Sequence, residues 1–139
     1  MYDRQIRVFG KQGQLALQKL TVGIVGLGGI GSLVFILLVR LGVGCLIIID
    51  HDVVEDSNLN RLAASTLEDA KRKIPKVYML KRYAAKINPN IKIVAIHKSI
   101  LQEDVLNHLK CCDVIFGCTD NQSTRWILNS FSVEYSVPY

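Results

Sequence analysis

Thr21-Val22-Gly23-Ile24-Val25-Gly26-Leu27-Gly28-Gly29-Ile30-Gly31 decides the fold of this chain. Five β-branched or small residues read as a short strand, and the next six read as G-x-G-x-x-G. Gly26 permits a tight turn, Gly28 a close backbone approach, and Gly31 the packing of the following helix onto a sheet. That helix is expected to run to about Leu41, with Gly42 ending it. Its first N–H groups then face outward, where they favour an anion such as phosphate. Cys45 to Ile49 is continuously apolar, as a parallel strand buried on both faces requires. Strand, glycine loop, helix and strand make one βαβ unit.

Working outward, residues 11–20 read as a short amphipathic helix, with Leu15, Ala16 and Leu20 toward the core. Residues 50–66 are polar and irregular, and the length of that stretch suggests function rather than connection. Residues 67–73 read as helical, and Pro75 fits the first position of a helix reaching about Ile87. Asn88-Pro89-Asn90 is a turn, Ile91–Ile96 a third strand, Gln102–Leu109 a helix, Asp113–Phe116 a fourth strand and Gln122–Glu134 a last helix. Trp126 is expected in the core, and Val137 begins what reads as a fifth strand. The alternation predicts an α/β fold, a Rossmann-like and mainly parallel sheet with helices on both faces.

The 139 residues suit one domain, and half of them are hydrophobic. The apolar run from Ser32 to Ile49 is not a membrane span: Arg40 interrupts it, and Gly42 and Gly44 break it into pieces too short to cross. With four cysteines in no framework spacing, a cytoplasmic protein with reduced thiols is expected. Much of the net charge of +5 falls in Lys71, Arg72, Lys73, Lys76, Lys81, Arg82 and Lys86. That cluster is a solvated face or an attraction for ATP or an acidic partner. Only Tyr78 and Tyr83 fall within it, too few for the stacking platform that nucleic-acid binding requires.

Four further groups carry chemistry. Asp50 stands 19 residues after Gly31, at the end of the second strand. A carboxylate there accepts from ribose hydroxyls or caps the loop, and Asp52 structures the same loop. Ser57-Asn58-Leu59-Asn60-Arg61 reads as an ordered loop aiming one guanidinium, suited to bidentate phosphate contact. Lys76 falls in the first turn of a helix, against the dipole, which makes sense if an anion binds both; alternatively it is one solvated lysine among several. Asp120, in Cys118-Thr119-Asp120-Asn121, follows the fourth strand on the same sheet edge as the glycine loop. It holds Mg²⁺ between phosphates, or it caps the last helix. Cys118 has no histidine placed to activate it, the adjacent Cys111 and Cys112 have the wrong spacing for zinc, and His51, His97 and His108 form no ligand pattern.

Together with Tyr2-Asp3-Arg4-Gln5-Ile6-Arg7, Pro75-Lys76-Val77 and Ile87-Asn88-Pro89, these segments closely resemble the ThiF/MoeB/HesA adenylyltransferases, relatives of the ubiquitin-activating enzymes. The resemblance runs over nearly the whole chain. It implies a single nucleotide-binding adenylation domain over 1–139, the N-terminal part of a longer fold. It implies ATP and Mg²⁺, adenylation of the C-terminal glycine carboxylate of a ubiquitin-like or sulfur-carrier protein, and release of pyrophosphate. Gly29 and Asp50 would contact the nucleotide within a cradle of Gly26, Gly28, Gly31, Asp52, Ser57, Asn60 and Asn121. Asn58, Arg61 and Lys76 would hold the phosphates, and Asp120 the Mg²⁺. Arg4 would reach the neighbouring subunit's site in a homodimer. One departure stands out, since family members usually carry glycine where this chain has Lys73. The competing readings are an NAD(P)-binding oxidoreductase domain, a non-catalytic relative that dimerises, and a relative that adenylates a tRNA-linked or peptide carboxylate.

Overall fold

The computed structural model describes all 139 residues. Four strands, β1 (Thr21–Val25), β2 (Cys45–Ile49), β3 (Lys92–Ile96) and β4 (Val114–Gly117), form one all-parallel sheet in the order β3-β2-β1-β4. The helices are α1 (Asp3–Lys19), α2 (Gly29–Leu41), α3 (Leu67–Lys71), α4 (Lys76–Ile87), α5 (Glu103–Asn107) and α6 (Gln122–Tyr135). The chain runs from β1 outward through β2 to β3, then returns to place β4 on the other side of β1. The strand order therefore reverses between β1 and β4, where open α/β sheets bind ligands.

Side chains alternate along each strand. Val22, Ile24, Leu46 and Ile48 point to one face, where Phe35 and Val39 of α2 and Val77, Leu80 and Ala84 of α4 cover them. Val25, Ile47, Ile49 and Ile115 point to the other, under Val105 of α5 and Leu128 and Phe131 of α6. Each fully buried aliphatic side chain contributes about 1.5–3 kcal/mol, so these two cores hold the sheet. Helix α2 ends as expected: Gly42 is left-handed at φ 84°, and the Gly42 and Val43 N–H groups both donate to the Leu38 carbonyl. The opposite face of α2 leaves Ile30, Leu33 and Leu37 exposed.

Several expectations change. Helix α1 begins at Asp3 and kinks at Gly10 (φ 74°), so residues 11–19 are only its second half. Leu15 and Ala16 are exposed and Leu20 half-buried. Gln14 is the buried residue, its amide donating to the Leu41 carbonyl at 3.2 Å. Trp126 is 73% exposed. The buried face of α6 is Thr124, Leu128 and Phe131, and two residues is about 200° round a helix, which turns Trp126 away from it. Pro75 precedes α4 rather than opening it, yet Lys76 still stands in the first turn. Helix α3 stops at Lys71, and Lys73 adopts φ 50°, the left-handed conformation that explains a glycine preference there. Helix α5 ends at Asn107 and a 3₁₀ turn, His108–Cys111, replaces its last residues. Val137 starts no strand, although the Ile115 N–H donates to the Pro138 carbonyl at 2.8 Å. No helix is long and apolar enough to cross a membrane.

Candidate nucleotide-binding site

A cavity of about 660 Å³ opens along the carboxyl ends of all four strands. That is a common size for a small-molecule site. Its floor is the turn from β1 into α2. Gly26 sits at φ 88°, where a Cβ would stand 2.7 Å from Thr119 Cγ2. A Cβ on Gly31 would land on the Gly26 carbonyl oxygen, so Gly31 lets α2 close on the strand. At Gly28 an added Cβ would meet nothing within 4 Å. Gly28 is thus free of packing demands, and its open backbone faces the cavity. Gly26, Gly28 and Gly29 line the cavity, while Gly31 lies beneath it.

At the end of β2, Asp50 is buried, and each of its oxygens accepts one backbone N–H: Leu27 at 2.6 Å and Asp52 at 2.7 Å. Asp50 therefore pins the glycine loop to β2, which realises the capping alternative. A carboxylate has about four acceptor sites, so this leaves capacity for a ribose hydroxyl. Asp52 holds Lys76 at 3.0 Å, and the Lys76 N–H donates to the Asp52 carbonyl at 3.1 Å. An isolated buried ammonium would be costly, and this partner neutralises it. Asp50, His51 and Asp52 bring one ligand atom each to within 4.8 Å of one another. Both carboxylates already have partners, however.

Beyond β2, a 3₁₀ turn at Asp56–Asn58 leads to Arg61. The Arg61 guanidinium donates through Nη1 to the Ser57 carbonyl at 2.8 Å and to Asn60 Oδ1 at 3.2 Å. Ser57 and Asn60 do not line the cavity; they aim Arg61, which does, as does Asn58. Both partners are uncharged, so the arginine keeps its charge uncompensated.

At the end of β4, Asn121 caps α6, accepting from the Ser123 and Thr124 N–H groups at 2.8 and 3.3 Å. Asp120 therefore does not cap the helix. It is exposed, lines the cavity and makes no hydrogen bond or ion pair. Thr119 Oγ1 beside it is buried with no hydrogen-bond partner. Burial pushes the Cys118 thiol up from its ordinary value, which argues against a thiolate nucleophile. Burial and the neighbouring thiols push Cys112 up to about 12.

Arg4 does not reach this cavity. Tyr2 packs against Gly42 and accepts from Asn88, which fixes the start of α1 at the far end of α2. Thirteen helical residues put that end roughly 20 Å away. The lining residues not anticipated include Lys98, Ser99, Ile100 and Leu101 after β3, Thr124, and Arg125 in the first turn of α6. The rule that ligands sit beyond strand ends pointed to Lys98; a cation in a first helical turn was the signal for Arg125.

The chain belongs to the ThiF family, whose model matches residues 2–139. It is 37% identical over 139 residues to an adenylyltransferase and sulfurtransferase MOCS3 of Anopheles gambiae, covering 99% of this chain and 31% of that protein. It is 34% identical to the sulfur carrier protein ThiS adenylyltransferase of Escherichia coli, covering 99% of this chain and 55% of that protein. The chain thus spans between about a third and a little over half of these curated relatives. Among solved structures, the tRNA N6-threonylcarbamoyladenosine dehydratase TcdA of E. coli, in complex with ATP, superposes with a TM-score of 0.90 at 20% identity. That match covers 99% of this chain and 56% of that one, and it shows the shared fold.

Proposed function

We propose that this chain is the nucleotide-binding domain of a cytoplasmic enzyme that adenylates the C-terminal glycine carboxylate of a ubiquitin-like or sulfur-carrier protein. The observation that carries the reading is the free carboxylate of Asp120, relieved of capping by Asn121 and sharing one cavity with the Arg61 guanidinium and the Lys76 ammonium. A hydride-transfer site has no role for that set. The residues fit a magnesium nucleotide: open backbone at Gly28, a ribose acceptor in Asp50, phosphate donors in Asn58, Arg61 and Lys76, and an unpartnered oxygen ligand in Asp120. When bound, Mg²⁺ would neutralise phosphate charge as it develops.

The partner's carboxylate oxygen bonds to the α-phosphorus, the bond from that phosphorus to the bridging oxygen breaks, and pyrophosphate leaves with the electron pair. No general base is required, because the attacking carboxylate is already ionised at neutral pH. The protein's share is positioning and charge neutralisation, with Arg61 and Lys76 on the leaving pyrophosphate. Arg4 completes the site of a second copy. Supporting this are its distance from its own cavity and the exposed stripe of Ile30, Leu33 and Leu37 on α2, an apolar surface suited to burial in a homodimer.

The test is thermal melting with ATP and Mg²⁺, ATP alone, and NADH. ATP is expected to raise Tm, more so with Mg²⁺, because a ligand specific to the native state stabilises it. Stabilisation by NADH alone would replace this reading with that of an oxidoreductase domain.

A further inference from the structure

Arg125 is the fourth residue of α6, and its guanidinium lines the cavity. Its Nε donates to the Thr119 carbonyl at 3.1 Å, in the segment that carries Asp120. Its two terminal nitrogens make no hydrogen bond and no ion pair. The side chain is therefore tethered at the neck with its fork free. A cation in a first helical turn opposes the helix dipole, and here Asn121 has already taken the Ser123 and Thr124 N–H groups. Such a placement is unfavourable in the free protein and becomes favourable beside an anion.

Which anion follows from the strand order. The glycine loop at β1 lies between two flanks. Arg61 and Lys76 stand on the flank reached through β2, and Arg125 and Asp120 on the flank reached through β4. Phosphoryl transfer needs the attacking and leaving oxygens roughly in line across the phosphorus. If pyrophosphate leaves toward Arg61 and Lys76, the attacker approaches from the β4 flank. A guanidinium fork matches a carboxylate in two parallel hydrogen bonds. Resting on the adenylation reading above, we infer that Arg125 binds the attacking carboxylate of the acceptor and holds it against the repulsion of the α-phosphate. The bond made and the bond broken remain those given above, and no proton moves.

The experiment uses the full chain loaded with α,β-methylene ATP and Mg²⁺. It is titrated with a peptide ending in Gly-Gly, as the free acid and as the C-terminal amide. The wild type is expected to favour the free acid. Arg125→Ala should keep nucleotide affinity within about twofold, lose at least tenfold for the acid and bind acid and amide alike, whereas Arg125→Lys recovers part of the preference. Circular dichroism of each variant confirms the fold. Undiminished preference for the acid in Arg125→Ala would overturn the Arg125 assignment alone. A tenfold loss of nucleotide affinity would make Arg125 a phosphate ligand and also overturn it. A wild type that binds nucleotide but does not distinguish acid from amide would overturn both the assignment and the acceptor-carboxylate reading. A wild type that binds no nucleotide would remove the adenylation reading itself.

Discussion

Two alanines three residues apart should separate the ligand cradle from the packing that supports it. At Gly28, φ is −76° and an added methyl meets nothing within 4 Å. Alanine is a poorer N-cap than glycine by a few tenths of a kcal/mol to about 1 kcal/mol, and the stiffer unfolded chain returns about 0.4–1 kcal/mol. Stability should therefore barely move, with Tm within about 3 °C of the wild type. The methyl would, however, project from backbone that faces the cavity. Displacing a phosphate from one or two charge-assisted hydrogen bonds costs about 1.5–3 kcal/mol, or roughly 10- to 150-fold in affinity. At Gly31 the order reverses. Its methyl would collide with the Gly26 carbonyl and crowd Cys118 Cβ at 3.1 Å, and the Gly26 backbone, whose N–H donates to the Ile49 carbonyl at 2.9 Å, cannot swing aside. Overpacking of that kind costs about 3 kcal/mol or more, which is a Tm loss of about 10 °C or an insoluble protein. Differential scanning fluorimetry with an ATP titration reads both quantities on both variants. A Gly28→Ala protein that binds ATP as tightly as the wild type would refute the claim that phosphate lies against this loop, whatever Gly31→Ala does.

Asp120→Ala should leave Tm unchanged, since the exposed Asp120 makes no hydrogen bond or ion pair, and should abolish the part of ATP affinity that depends on Mg²⁺; a matched titration with and without the metal decides it. Lys73→Gly should stabilise by about 0.5–1 kcal/mol, because a left-handed lysine costs about 1–2 kcal/mol while glycine adds about 0.5–1 kcal/mol of chain entropy; a lower urea midpoint would contradict this. Asp69 is 2% exposed, and burial works to raise its pKa. Hydrogen bonds from Arg82 at 2.6 Å and from Thr66 outweigh that and hold the carboxyl below its ordinary 3.8. A folded pKa below the unfolded one contributes stability above the unfolded value, and that stability is lost as pH falls through the folded one. Acid unfolding should thus steepen below about pH 4, and Asp69→Asn should cost about 2 kcal/mol at pH 7 and flatten that acid limb.

The sheet and its central turn were legible because they rest on short-range rules. A parallel strand buried on both faces has to read as Cys45–Ile49 does, and the glycine spacing follows from a turn that admits no Cβ at Gly26 or Gly31. Elements failed where a polar residue did an apolar one's work, as with Gln14, whose burial depends on a carbonyl 27 residues away. Trp126 was misread for a simpler reason: its bulk suggested core, whereas its helical phase relative to Thr124 and Leu128 set it outside. In the site, the motif residues with a local geometric consequence were readable. The division of labour between Asp120 and Asn121 was not, because either can cap a helix and only the backbone geometry chooses. Lys98 and Arg125 carry no motif, and they reach the cavity only because β3 and β4 end at the same edge.

The charges along that edge fall into two groups, and the division explains which of them serve the fold. Lys76 is compensated by Asp52, Lys98 by Asp104 at 2.6 Å, and Asp50 by two backbone N–H groups. These contacts tie the end of β2 to the glycine loop and to the start of α4, and the segment after β3 to α5, and they form in the protein by itself. What remains is one carboxylate with no hydrogen bond or ion pair, Asp120, and two guanidiniums held only by neutral groups, Arg61 and Arg125. Arg61 is steered only by a carbonyl and an amide, and Arg125 only by a carbonyl. Neutral partners orient a guanidinium without discharging it. A cation flanked by phosphates would satisfy Asp120, the leaving pyrophosphate Arg61, and the incoming carboxylate Arg125. The three residues left incomplete by folding are thus all engaged by the proposed reaction, whereas Lys76 and Asp50 meet the nucleotide from places the fold already fixes. Substitutions at those three should therefore act on ligands while sparing Tm, whereas substitution of Asp50 or Asp52 should lower both together.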